Sequence, residues 1–278
     1  MVNKALMKSR FSAPAKLNLS LAVTGRREDG YHTLRSLIVP TTLGDTLDVV
    51  PAPEFTLTVE GLFAVHAPGG EDNLVARAVR ALERMAGRAA ALAMILGKNC
   101  PAGAGLGAGS ADAAAAMRVV NAHWGKPFDD AVLARVGLEI GAELPFCLMN
   151  RAARVTGIGE IVEPVTVAPL DVVVVWPGIV LATGAVFAAY EGAVSIVPEN
   201  DLNPADWRND LEPAARGIAP VIGTVLDALQ AQGAAAARMT GSGSACFGVF
   251  DDGDMAARAA AVIAAAYPEW WVRAGRTL

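Results

Sequence analysis

The densest chemical signal in the sequence is Pro101-Ala-Gly-Ala-Gly-Leu-Gly-Ala-Gly-Ser110-Ala-Asp112, where Gly103, Gly105, Gly107 and Gly109 recur at every second position. Glycine lets a backbone turn through conformations that other residues avoid, and it lets a bulky anion approach the amide hydrogens. The run leads into Ser110, Ala113, Met117 and Val120 at helical spacing, so the loop opens onto a helix N-terminus whose unpaired donors and dipole favour negative charge. Pro101, Ala102, Gly103, Ala104, Gly105, Leu106, Gly107, Ala108, Gly109, Ser110 and Ala111 therefore read as a cradle for a polyphosphate. Ser110 is placed to offer its hydroxyl to a phosphate oxygen or to a magnesium ion. A flexible turn capped by Ser110 or Asp112 is the plainer alternative. The lysine-bearing P-loop pattern G-x-x-x-x-G-K-[ST] is absent, as are the dinucleotide pattern G-x-G-x-x-G with its later acid and the protein-kinase signatures.

Two charged residues invite a role beside such a loop. Lys16 lies within Ala13-Pro-Ala-Lys-Leu-Asn-Leu on the same strand face as Asn18, where a lone lysine is ordinarily solvated. Glu143 stands in Gly141-Ala-Glu-Leu-Pro-Phe146, between a helix end and a proline, where a surface carboxylate at a turn is an equal reading. A lysine and a carboxylate facing a phosphate loop would make a phosphoryl-transfer site. Spacing alone does not bring them together. Thr240-Gly-Ser-Gly-Ser244 reads as a tight turn, for which a simple hairpin is sufficient. His66 and His123 lack any such context and read as structural, and Trp270 and Trp271 as core or interface residues.

The elements that must position these groups are legible by period. Phe11 to Thr24 alternates as a strand, with Leu17, Leu19, Leu21 and Val23 on one face and Lys16, Asn18 and Ser20 on the other. Further strands are expected over Thr33 to Pro40, Thr46 to Val50 and Phe55 to Val59, separated by Gly, Asp and Pro. Asp72 is placed to cap a helix running through Leu82 and Met85 to Gly87, and a buried strand follows from Ala91 to Leu96. A helix fits Asp129 to Ile140, and the Gly- and Pro-rich stretch Val155 to Pro169 is expected to carry the chain into a second unit. Beyond it come a strand (Asp171 to Trp176), helices near Ala185 and between Asn209 and Gln230, a hairpin (Ala236 to Phe250), a helix (Asp254 to Ala265) and a strand from Trp270 to Ala274. Helices interleaved with a mostly antiparallel sheet indicate an α+β fold with helices on one sheet face.

Composition bounds the function. The 278 residues are 53% apolar and 18% charged, which suffices for a packed core and argues against disorder. No run reaches the roughly 18 apolar residues of a membrane helix, and the start Met1 to Phe11 lacks the apolar segment of a secretory signal, so a cytoplasmic address is expected. Cys100, Cys147 and Cys246 are odd in number and far apart, which fits plain thiols in a reducing compartment rather than a disulfide framework or a zinc site. A formal charge of -5 disfavours non-specific nucleic-acid binding, so an anionic ligand must be held by a local arrangement.

Ala13-Pro-Ala-Lys16-Leu-Asn18-Leu, Thr24 to His32, Pro101 to Asp112, Gly141-Ala-Glu143-Leu-Pro and Thr240-Gly-Ser-Gly243 together resemble the GHMP kinases, named for galactokinase and the homoserine, mevalonate and phosphomevalonate kinases. The resemblance spans nearly the whole chain in order. Asp29-Gly-Tyr-His32 and Gly157-Ile-Gly-Glu160 point to the branch whose substrate is a cytidine diphosphate-linked methylerythritol. The resemblance implies a two-domain α+β architecture: a ribosomal S5 domain 2-like N-terminal ATP-binding domain over residues 1–160, and a ferredoxin-like C-terminal domain over residues 161–278. It further implies transfer of the γ-phosphoryl of ATP, with Mg2+, to the 2-hydroxyl of the methylerythritol unit in the non-mevalonate route to isoprenoid precursors. Glu143 would take the hydroxyl proton and Lys16 would stabilise the developing charge. Asn18, Tyr31 and His32 match positions that contact the cytidine diphosphate substrate, and Phe187 an aromatic that stacks on the pyrimidine. A kinase of another small alcohol, of mevalonate or homoserine type, and a nucleotide-binding regulator impaired in catalysis are the competing readings. The chain departs from the family pattern at Glu143, where the pattern has Asp, and at Ala111, where it usually has a second Ser.

Overall fold

Two long strands open the fold, β1 (Ser9–Arg26) and β2 (His32–Pro51), in a computed structural model that describes residues 9–195 and 202–278. The first eight residues, part of the stretch read as lacking a secretory signal, lie outside the described residues. By compactness the chain divides into two units. One takes the described residues of Met1–Ala15, Gly44–Ala102 and Gly107–Asn150, the other those of Lys16–Leu43, Gly103–Leu106 and Arg151–Leu278.

The two strands expected over Thr33 to Pro40 and Thr46 to Val50 are one continuous strand, β2. Pro40 and Gly44 read as breaks, yet Gly44 serves a close approach: a Cβ there would overlap the carbonyl oxygen of Ala13. In the first unit the second half of β2 pairs antiparallel with β4 (Leu92–Gly97), and β3 (Thr56–Glu60) pairs parallel with β4. Helices α1 (Leu74–Ala86), α2 (Ala108–His123), α3 (Asp130–Ile140) and α4 (Leu144–Met149) complete it. Leu47, Val49, Leu92, Met94 and Leu96 from the sheet pack with Val75, Val79 and Leu82 of α1 and Met117 and Val120 of α2. Asn73, rather than Asp72, caps α1, its side chain accepting from Val75 N at 2.9 Å; Asp72 ends the short 3-10 turn before it. Losing such a cap costs about 1 kcal/mol. Gly87 ends α1 in the left-handed conformation, as its position suggests.

In the second unit the first half of β2 pairs with β5 (Ala153–Gly157), which turns back as β6 (Ile161–Pro164). Part of the Gly- and Pro-rich stretch Val155 to Pro169 thus forms a hairpin, closed by the Glu160 carboxylate accepting from Ile158 N at 2.6 Å. A four-stranded antiparallel sheet follows in the order β10 (Trp271–Arg276), β7 (Asp171–Trp176), β9 (Cys246–Phe250), β8 (Ala236–Met239). With α6 (Glu212–Ile218) and α7 (Val221–Ala231) between β7 and β8, and α8 (Gly253–Ala266) between β9 and β10, this is the βαββαβ order of a ferredoxin-like unit. The short helix α5 (Thr183–Ala188) precedes them. Val173, Val175, Ile222, Val225, Leu229, Phe250 and Ile263 form the core, and Trp270 and Trp271 are buried as expected.

The first unit buries a charged group that the sequence reading did not find. The Lys98 ammonium lies between Asp45 and Asp112, donating to Asp45 Oδ2 and, at 2.7 Å, to Asp112 Oδ2. Asp45 Oδ1 also accepts from the backbone N of Asn99 (2.6 Å) and Cys100 (2.8 Å), so it fixes the start of the glycine loop. Asp112 Oδ1 has no partner among the described residues. One cation between two carboxylates leaves a buried site short of positive charge. Burial first, then the charge of Asp45, pushes Asp112 up to about 8 against the opposing pull of Lys98. A carboxyl raised in the folded state favours folding while it holds its proton. That contribution is complete below the unfolded value of about 4 and is lost as pH rises towards 8. The stability of the native chain relative to Asp112→Asn should therefore fall between pH 5 and pH 8. Urea unfolding midpoints at both values read this, and a difference independent of pH would contradict it.

Candidate active site

The glycine loop adopts the backbone that its composition requires. Gly103, Gly105 and Gly107 have φ of 67°, 84° and 63°, whereas Gly109 lies within α2 in ordinary helical geometry. At Gly105 the requirement is doubled, because a Cβ would overlap the Thr240 carbonyl oxygen. Three loop carbonyls point at donors of the second unit: Ala104 O accepts from Ala245 N (3.1 Å), Gly105 O from Lys16 Nζ (2.7 Å) and Leu106 O from Lys16 N (2.9 Å). α2 starts at Ala108, two residues before the expected Ser110, and its N-cap is Gly107. No side chain caps it, so neither Ser110 nor Asp112 plays that role, and Ser110 sits in the first turn. An uncapped helix start after a left-handed glycine presents amide donors and the positive dipole end, which suits an anion.

Lys16 is 3% exposed. The alternation of β1 suggested a solvated polar face, but Lys16 through Val23 is buried on both faces. Its ammonium donates to Asn18 Oδ1 at 2.5 Å and to Gly105 O at 2.7 Å. Asn18 is buried as well, its Nδ2 donating to Ser36 Oγ at 2.8 Å and its backbone N to Thr240 Oγ1 at 2.9 Å. The Thr240–Ser244 turn joins β8 to β9, with Gly241 and Gly243 at φ of 57° and 85°. Asn209, unremarked in the sequence, pins it by donating from Nδ2 to Met239 O and Gly241 O, each at 2.8 Å. A Cβ on Gly241 would stand 3.2 Å from Lys16 Nζ. The second unit thus brings Lys16, Asn18, Gly103 to Leu106 and the Thr240 turn together.

The aromatic residues form a second group in the same unit. His32 stacks on Phe187, with centroids 5.3 Å apart and planes at 20°, and Tyr190 meets His32 edge-on at 5.9 Å. Tyr190 was not singled out from sequence; its hydroxyl donates to Ala193 O at 2.9 Å. Tyr31 is 64% exposed, so the turn does not bury its own aromatic. Glu143 belongs to the other unit, exposed at the N-cap of α4, a six-residue helix that the sequence reading did not anticipate. Its carbonyl accepts from Cys147 N at 3.1 Å. A local signal existed, since Pro145 occupies the first helical turn. Among the described residues no group of three His, Cys, Asp or Glu is arranged to hold a metal.

The geometry agrees with what the chain resembles. The GHMP kinases N terminal domain matches residues 73–157, and the GHMP kinases C terminal domain matches residues 200–269. A 4-diphosphocytidyl-2-C-methyl-D-erythritol kinase of Chelativorans sp. (strain BNC1) is 42% identical over 284 residues, covering 98% of this chain and 97% of that protein. A crystal structure of 4-(cytidine 5'-diphospho)-2C-methyl-D-erythritol kinase superposes with a TM-score of 0.84 at 34% identity, covering 97% of this chain and 99% of that one. Homoserine kinase from Cytophaga hutchinsonii ATCC 33406 shares the fold, with a TM-score of 0.72 at 15% identity over 100% of this chain and 96% of its own. No helix among the described residues is long and apolar enough to cross a membrane. With relatives at this identity matching end to end, the chain belongs to the GHMP kinases, ATP-dependent kinases of small molecules, and within them to the 4-diphosphocytidyl-2-C-methyl-D-erythritol kinase family.

Proposed function

We propose that the chain transfers the γ-phosphoryl of ATP to the 2-hydroxyl of 4-diphosphocytidyl-2-C-methyl-D-erythritol, in the non-mevalonate route to isoprenoid precursors. The observation that carries this reading is the buried Lys16 ammonium held against the carbonyl of Gly105, inside a glycine loop that runs into an uncapped helix. In sequence terms, residues 1–160 serve as the nucleotide-binding domain and residues 161–278 as the second domain. The amides of Gly107 to Ser110 receive the phosphates. Ser110 offers a hard oxygen in the first turn of α2 and would hold Mg2+, which supplies charge neutralisation on the phosphates. Three buried free thiols suit a reducing compartment, and the cytoplasm is the proposed address.

The chemistry asked of the protein is positioning and charge stabilisation. Lys16 donates to the phosphoryl oxygens as negative charge develops, and its fixed place means little reorganisation during the reaction. Glu143 removes the hydroxyl proton as general base. The face of Phe187 stacks the pyrimidine, and His32 hydrogen-bonds the base edge while leaning on the same ring. Asn18 and Tyr31 complete the substrate contacts.

Four measurements test this reading. An ADP-release assay with 4-diphosphocytidyl-2-C-methyl-D-erythritol, mevalonate and homoserine should give turnover with the cytidyl substrate alone; turnover with either small alcohol instead would move the chain to another branch. Lys16→Ala should lower kcat by far more than it weakens ATP binding, and equal losses in both would contradict a transition-state role. Glu143→Gln should lower kcat by about 10²–10⁴-fold with KM little changed, whereas a kcat near that of the native chain would remove Glu143 from the mechanism. Gly107→Val places a β-branched residue at φ of 63° and should weaken ATP binding in calorimetry; unchanged affinity would count against the cradle.

A further inference from the structure

We infer that Ser36 and Thr240 are positioning residues of the phosphoryl-transfer site, acting through the amide of Asn18 to hold the Lys16 ammonium. The inference rests on the proposed role of Lys16 and follows from hydrogen bookkeeping around one buried side chain.

A primary amide presents an acceptor and a donor of nearly equal shape, so something must decide which faces the lysine. Ser36 Oγ has one hydrogen, and it is committed to the backbone carbonyl of Ser20 at 2.6 Å. Towards Asn18 the same oxygen can therefore only accept, which it does from Nδ2 at 2.8 Å. Thr240 Oγ1 accepts from Asn18 N at 2.9 Å and has its own hydrogen left for Asn18 Oδ1 at 3.3 Å. Both hydroxyls thus demand the same orientation, with Oδ1 turned to Lys16 Nζ at 2.5 Å. Flipping the amide would set its NH2 group against an ammonium and leave the Ser36 oxygen facing another acceptor. All four side chains are at least nine-tenths buried, so water does not readily repair such a mismatch.

The hydroxyls do not touch the nucleotide loop; they act through Asn18, which the proposed function also assigns to the substrate. Removing one leaves the nucleotide loop in place and frees the Asn18 amide to turn, which loosens the ammonium. A misplacement of about 1 Å can cost on the order of a hundredfold in rate. The effect should fall on kcat, since Lys16 acts as charge develops.

The test compares Ser36→Ala, Thr240→Val and Thr240→Ser with the native chain and Lys16→Ala, measuring kcat, both KM values and thermal unfolding. Ser36→Ala and Thr240→Val should each lower kcat by at least about tenfold with the KM for ATP within about twofold. Thr240→Ser, which keeps the hydroxyl, should recover most of the loss. Native turnover in the folded Ser36→Ala and Thr240→Val proteins overturns the inference while leaving Lys16 in place if Lys16→Ala is impaired. Equal impairment of Thr240→Ser and Thr240→Val also overturns it, because the hydroxyl is then not the agent. Native turnover in Lys16→Ala would remove the reading on which the inference stands. Should Ser36→Ala fail to fold, Thr240→Val tests the same amide from its other side.

Discussion

A lysine ammonium taken out of water costs several kcal/mol unless oxygens replace its hydration. Lys16 meets that condition with Asn18 Oδ1 and Gly105 O, and much of the second unit is arranged to supply them. The Gly105 carbonyl can reach the ammonium only if the loop turns through left-handed geometry. Gly105 must lack a side chain because the Thr240 turn lies against it, and that turn stays in place because the Asn209 amide donates to the carbonyls of Met239, just before it, and Gly241, within it. The oxygens of Asn18 and Gly105 are neutral acceptors that replace water around the ammonium.

Lys98 is a second buried ammonium, and it lies between two carboxylates that neutralise it within the protein. What it secures is geometry: Asp45 holds the first amides of the glycine loop and Asp112 belongs to the start of α2, so one cation ties both ends of the loop within the first unit. The alanines of α2 act to the same end. Ala113 and Ala116 are fully buried against α1, and side chains this small let the two helices approach closely. A loop fixed at both ends is preorganised, and in its proposed role less of the affinity for a phosphate would be spent on ordering it.

Much of this was legible in the sequence where the signal is local. The glycine spacing marked the loop, and the order of elements in the second unit follows from period and turn residues. Lys16 was visible as a candidate but its burial was not, because strand alternation does not report that both faces of β1 are covered. Lys98 follows Gly97 at the end of β4, where a lysine reads as solvated; its partners lie 53 and 14 positions away. Pro40 and Gly44 misled because a glycine needed for close packing looks the same in sequence as one that breaks a strand. The hairpin at Gly157 to Glu160 was not read from the sequence, although φ of 73° and 120° at Gly157 and Gly159 is what closes it. Ser36 was invisible, because its role depends on where its single hydrogen goes.

The departure at Glu143 can be weighed against these constraints. In the proposed reaction the two charged groups have unequal geometric demands. The ammonium stabilises charge that appears only in the transition state, so its value depends on being fixed beforehand, and Lys16 is buried and hydrogen-bonded accordingly. A general base must come within hydrogen-bond reach of one proton, and apo geometry need not hold it there. Glu143 is exposed at the start of a six-residue helix. An added methylene at Asn18 would be severe by the same reasoning, since the Asn18 amide that holds the ammonium already has its partners in place.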